Sequence, residues 1–193
     1  TEGTWSIMAA YSGTASFGAS SGSLSQVVTS PTVVTGSQFC NNGGISIPDP
    51  PSATIPYPSN LTVSGLVGNI SNLTVQLNGL TAQRTSNLDF LLVAPSGEAF
   101  QFVSDTGDAV TAVSNLNLTL SDAAATQLPL GSALSSGTFK PTDGDTLGTD
   151  PYPAPAPASF DRAAPTGAAT FASVYGGVNP NGNWALYAVD DGV

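Results

Sequence analysis

The chain predicts an all-β, antiparallel sandwich, and three observations predict it. Apolar residues recur with period two in short runs, turn residues bound nearly every run, and no stretch carries a long helical apolar stripe. The clearest run is 87–103. Leu88, Phe90 and Leu92 fall on one face of a strand and Leu91 and Val93 on the other, so both sides of that strand are to be buried. Ala94-Pro-Ser-Gly97 has the chemistry of a type I turn, and Phe100 and Phe102 bury one face of the return strand. Asp89 interrupts this apolar run, and a carboxylate placed there needs a cation or several donors.

The 193 residues suffice for one domain with an extension, and 40% hydrophobic residues with 8 Phe, 5 Tyr and 2 Trp can fill a core. With 3 basic residues against 13 acidic ones, the chain has no basic patch to displace phosphate counterions, which excludes nucleic acid as a partner. A divalent cation suits the net charge of -10 better. No apolar run approaches the roughly 18 residues of a membrane span. Thr1 in place of Met suggests a processed or excised segment, and the Thr- and Asn-rich, Lys-poor composition suggests a secreted, cell-surface protein. Cys40 is the only cysteine; it is read as a small buried residue, with a free thiol or an intermolecular bond as the alternatives.

In chain order, Thr4 to Ala9 reads as a short strand with Trp5 and Ile7 on one face. Ala10 to Gly36 is a Ser/Thr/Gly/Ala tract, either linker or edge strands, with Val27-Val28 and Val33-Val34 as its apolar pairs. Residues 1–36 are thus an N-terminal strand plus connecting segment, and 37–193 the sandwich. Ile45 to Ile47 alternates, and Pro48, Pro50, Pro51, Pro56 and Pro58 then keep an extended segment out of any sheet centre. Leu61 to Leu66 and Ile70 to Leu77 read as strands, with a turn at Asn78-Gly79. Beyond the central hairpin, Ala112 to Leu120 is a strand and Asp122 to Leu128 one helical turn capped by Asp122. Pro151 to Pro157 reads as an extended or polyproline-like surface loop. Trp184, Leu186 and Ala188 alternate with Ala185, Tyr187 and Val189, giving a final core strand entered through the turn Asn179-Pro-Asn-Gly182.

Six blocks together resemble the P domain of proprotein convertases, in the form found in bacterial secreted proteins. They are Pro56 to Leu66, Ile70 to Leu80, Asn87 to Gly97, Leu118 to Asp122, Ser136 to Pro141 and Asn179 to Asp191. The resemblance runs from about Phe39 onward and implies a jelly-roll sandwich. In convertases that module stabilises a subtilisin-like protease. Relatives often carry Asp-Leu-Asp where Asn87-Leu88-Asp89 stands here, and a His near Gln83 and Arg84; any acidic pair that holds calcium there has lost a charge here. The pattern also implies a last strand of the form Gly-x-Trp-Ser-Leu-x-Ile after Asp190-Asp191, and Gly3-Thr-Trp-Ser-Ile-Met8 has that form. Thr4, Trp5, Ser6, Ile7 and Met8 are therefore expected to complete a sandwich, in their own copy or a neighbouring one.

Without His the chain cannot assemble a Ser-His-Asp triad, and no thiol or paired-carboxylate constellation rises above its acidic background, so it is read as non-catalytic. Asp89, Asp105, Asp190 and Asp191, expected at neighbouring strand ends, form the candidate calcium site. The alternative pairs Asp89 with Arg84, sets Asp105 in a turn and leaves Asp190-Asp191 solvated. Asp143, Asp145 and Asp150 form a second acidic group, either a sparser loop site or a solvated loop. Sequons at Asn60, Asn69, Asn72 and Asn117 offer glycan acceptors where the machinery exists. The expected function is a structural module of an extracellular array or filament that self-associates through strand complementation or as tandem repeats. The competing readings are an adhesin module, favoured by exposed aromatics near Tyr152, Tyr175 or Tyr187, and a stabilising domain appended to a subtilisin-like protease.

Overall fold

The computed structural model describes residues 3–28, 37–48, 52–53, 55–146, 148 and 150–192. Val33, Val34, Pro50 and Pro51 lie outside them. Thr1–Thr35 and Gly36–Val193 form two compact units.

The first unit is an antiparallel ribbon of β1 (Gly3–Tyr11) and β2 (Ser20–Val28), paired from Gly3 opposite Val28 to Tyr11 opposite Ser20. Of the two readings of the hydroxyl-rich tract, edge strand therefore holds for 20–28. Gly13 turns the chain between the strands at φ +80°, where a Cβ would lie 2.8 Å from Phe17 O and Ala19 N. Ile7 sits opposite Leu24, and both are exposed, as are Met8, Tyr11 and Phe17.

The second unit carries β3 (Ser52–Ala53), β4 (Ser59–Val63), β5 (Thr74–Ala82), β6 (Leu88–Val93), β7 (Ala99–Ser104) and β8 (Val113–Ser121). It continues with β9 (Gly137–Phe139), β10 (Thr142–Asp143), β11 (Asp161–Arg162), the helix α1 (Phe171–Tyr175) and β12 (Gly182–Asp190). One sheet runs β10-β7-β6-β12-β3, with β11 also on β7 and β4 also on β12; a second runs β5-β8-β9. The main core takes Leu88, Phe90, Leu92, Phe100, Phe102 and Trp184 from the first sheet and Val113, Leu118 and Leu120 from the second, so it lies between them. This is the sandwich-like packing that period-two alternation predicts, and Leu186 packs against the same core. Burying each of the large side chains contributes about 1.5–3 kcal/mol.

The sheets are mixed and not purely antiparallel: β10 and β11 both run parallel to β7, and β9 runs parallel to β8. These are strands of two or three residues, too short to show a period, and each docks on an existing edge after a loop excursion. Asn78-Gly79 is no hairpin turn. It lies inside β5 as an irregularity between Leu77 and Leu80, where Gly79 takes φ +73° and its N–H donates to Asn117 Oδ1 (3.0 Å). Residues 122–128 form no helix. Asp122 instead caps α1 from a distance, accepting from Phe171 N (3.0 Å) and Ala172 N (2.8 Å), while Thr170 and Ser173 close a capping box.

Candidate metal centre

On β6 the residues alternating with Leu88, Phe90 and Leu92 face away from the main core. Leu91 belongs to a second cluster on that back face with Ala99 and Tyr187, against which Tyr57, Val93, Tyr152, Ala156 and Phe160 pack. The proline-rich segment supplies the cover. It makes a turn, Ala156 N donating to Pro153 O (3.1 Å), and is held down by Tyr57 Oη on Pro153 O (3.0 Å) and Tyr187 Oη on Pro155 O (3.3 Å). A continuous extended run would leave this face bare.

Asp89 shares the back face and has no exposure. Neither of its carboxylate oxygens has a hydrogen-bond partner among the described residues, so the alternative pairing with Arg84 does not satisfy it. Asp150, at the start of the covering segment, and Asp191, just past β12, each bring a carboxylate oxygen to within 4.8 Å of Asp89's and of each other's. Asp105, just past β7, forms a second such triad with Asp145 and the same Asp150.

Each carboxylate is placed by its neighbours. Asp150 accepts from Ser104 Oγ (2.8 Å) and from Gln101 Nε2, so two β7 side chains deliver it to the site. Asp191 is seated by its N–H on Asn87 O (3.1 Å), and the next residue, Gly192, fits because a Cβ there would overlap Asn87 Nδ2 at 1.6 Å. Asn87 thus docks the turn after β12. Asp105 adopts φ +49°, and Gly144 packs so closely that a Cβ would stand 2.8 Å from Asp105 O.

Burial, then the neighbouring Asp150, Asp191 and Asp105, push the Asp89 carboxyl up to about 10; the Ser104 hydroxyl opposes this weakly, being engaged with Asp150. Burial and the same crowding raise Asp105 to about 7. Asp150 and Asp191 are raised too, burial first in each case. Tyr152, which accepts from Gln101 Nε2 at 3.3 Å, is held well above the ordinary tyrosine range by burial and by Asp89 and Asp150. Such a cluster either binds protons or binds cations. Its all-oxygen donor set, spread over loops and strand ends, fits a hard divalent cation that tolerates irregular coordination.

The two acidic groups read separately in the sequence therefore merge, with Asp150 common to both triads. Asp143, Asp145 and Asp150 are buried, not a solvated loop. Asp143 belongs to neither triad: Arg162 donates to it from Nε (2.7 Å) and Nη2 (2.9 Å), and Asp145 N adds a third bond (3.1 Å). Arg162 Nη2 also reaches Asp145 Oδ2 (2.8 Å), so one of the scarce arginines does pair buried aspartates. Asp190 stands outside both triads and accepts from Gly192 N (3.2 Å). Gln101, Ser104 and Arg162 escaped sequence reading, and Tyr152 was read there as an exposed aromatic. An isolated Gln in the alternating strand Phe100-Gln-Phe102 was the available signal, since a polar residue there sits opposite Leu91 on a buried face.

Elsewhere, Cys40 is exposed and not a buried hydrophobe. Tyr175 and Tyr187 are buried and Tyr152 is partly so, its ring edge-on to Phe160 at 5.4 Å, so these aromatics present no exposed cluster. Asn60, Asn69, Asn72 and Asn117 are all exposed, with Asn60 Oδ1 accepting from Asn183 Nδ2 (2.8 Å). No helix among the described residues is long and apolar enough to cross a membrane. No protein-family model, curated protein or solved structure matches the chain.

Proposed function

We propose that the chain is a non-catalytic structural module of an extracellular surface array or filament, with a β-sandwich locked by bound calcium. The observation that carries the metal-locked reading is Asp89: a carboxylate with no exposure and no partner among the described residues, facing two more carboxylates, is a costly arrangement unless a cation fills it. A cation there would join the start of β6, the end of β12 and the covering segment, three parts of the chain far apart in sequence. Calcium is abundant outside cells, where even a weak site fills, and a charge-poor, hydroxyl-rich chain suits that setting. Likeness to the P domain supports the same reading, since that module serves as a stabilising or surface unit.

The test is thermal unfolding of the chain with calcium and with chelator. At about 100 times its dissociation constant calcium should add ~2.7 kcal/mol. An unchanged melting temperature would remove the metal from the proposal.

Self-association through the N-terminal strand is the second part of the reading. It is favoured by the β1–β2 ribbon, whose Ile7, Met8 and Leu24 stay exposed although a two-stranded ribbon alone is marginal in water. Deleting Thr1 to Ala10 should abolish assembly measured by light scattering; an assembly of unchanged size would rule out this strand as the connector.

A further inference from the structure

The two carboxylate triads share one residue, and we propose that they form a two-cation centre in which Asp150 bridges two divalent ions. The inference rests on the metal-locked reading above and goes beyond it in number and arrangement.

Three observations carry it. First, the triads are distinct in every member but Asp150: Asp89 and Asp191 on one side, Asp105 and Asp145 on the other. Their backbones enter from different elements, β6 and the end of β12 in one case, the end of β7 and the loop after β10 in the other. A single ion at one triad leaves the other's carboxylates facing each other.

Second, charge favours two ions. Arg162 is committed to Asp143 through two hydrogen bonds and touches only Asp145 of the five triad members. One divalent cation balances two of those five carboxylates, and a second brings the cluster near neutrality.

Third, the cluster holds a buried oxygen beyond its carboxylates that has no partner among the described residues. Gln101 has no exposure; its Nε2 lies against Asp150, the shared residue, and its Oε1 is unpaired among them. An orphaned buried oxygen is rare, and a hard cation's need for six to eight oxygen donors accounts for one beside the shared carboxylate. Asp89 plays this part for the first triad, and Gln101 for the bridge. Each ion would have a route to water: Asp191 is the exposed member of the first triad, and Asp145 lies beside an open depression lined by Thr146, Gly148, Pro165 and Thr166.

The experiment is calcium titration of the chelator-stripped full chain by isothermal calorimetry, with native mass spectrometry counting bound calcium. It is run on the parent, Asp191→Asn, Asp105→Asn and, as a control away from the centre, Asp161→Asn. Folding of each is checked by circular dichroism. Two calcium ions per chain are expected for the parent and for Asp161→Asn. Asp191→Asn should weaken one ion by at least about tenfold and keep the other, and Asp105→Asn should do the same to the opposite ion. One ion per chain, weakened by both Asp191→Asn and Asp105→Asn, overturns the bridged pair and leaves the metal-locked module standing. No saturable binding overturns both. Asp150→Asn should lose both ions together; if that variant does not fold, the two flanking variants still decide.

Discussion

Arg162 Nε lies 2.7 Å from Oδ2 of Asp143, a residue with no exposure, and the guanidinium closes the pair with a second bond to Oδ1. The same side chain reaches Asp145 and the Gly148 carbonyl (2.6 Å), so it fixes the loop that carries one triad. Replacing Arg162 by Gln leaves Asp143 buried and uncompensated. Chemical denaturation should show a loss of about 3 kcal/mol or more. Arg162→Lys should recover only part of it, because an ammonium cannot make the two-pronged contact.

The stability of the metal-free chain should fall as pH rises. Asp89 and Asp105 have folded-state pKa values raised to about 10 and about 7, above the ordinary carboxylate value they regain on unfolding. Between those limits the folded state holds protons that the unfolded state has released, so each rise in pH favours unfolding. In chelator, the melting temperature should be higher at pH 5 than at pH 8, with the fall steepest below about pH 7, where Asp89 and Asp105 both hold protons the unfolded chain has released, and shallower above it once Asp105 has given up its proton. Calcium should shrink or reverse that difference, since it takes the protons' place. A flat profile in chelator would contradict the crowding.

Asp89→Asn separates cost from benefit at the same position. In chelator near neutral pH the variant should melt higher than the parent, because an amide is buried without taking up the proton that Asp89, raised to about 10, must bind on folding. In calcium it should lose most of the increment the cation gives the parent. Melting curves under both conditions test the two halves independently.

Gly144→Ala probes the positioning of Asp105. The added Cβ would meet Leu130 Cδ2 at 2.6 Å and Asp105 O at 2.8 Å, and the backbone oxygen has nowhere to go. A loss of about 1–3 kcal/mol is expected, together with weaker calcium binding by calorimetry.

Asp122→Ala removes the acceptor from the N–H groups of Phe171 and Ala172, at the start of the helix that carries Tyr175 into the core. The cost should be about 1 kcal/mol by urea denaturation. Calcium binding should be unaffected, since Asp122 belongs to neither triad.

The strands that carry the core were legible because burial on alternate faces leaves a period of two in the residues themselves. Leu88 to Val93, Ala99 to Ser104 and Trp184 to Val189 are long enough to show it, and their core partners are those the alternation names. Asp89 was legible for the same reason, as the residue that breaks the rule. Asp191 was read into the same site from the sequence; that Asp150 joins them was not, because that depends on where loops cross the back face. Asp150 stands 61 residues from Asp89 by their numbers, and Gln101, Ser104 and the tyrosines under the proline-rich segment bring it there. The parallel docking of β10 and β11 on β7 was hidden likewise, since two-residue strands have no period of their own and take their direction from the edge they join. Local pattern decided which residues are buried; long-range pairing alone decided which buried acids face one another.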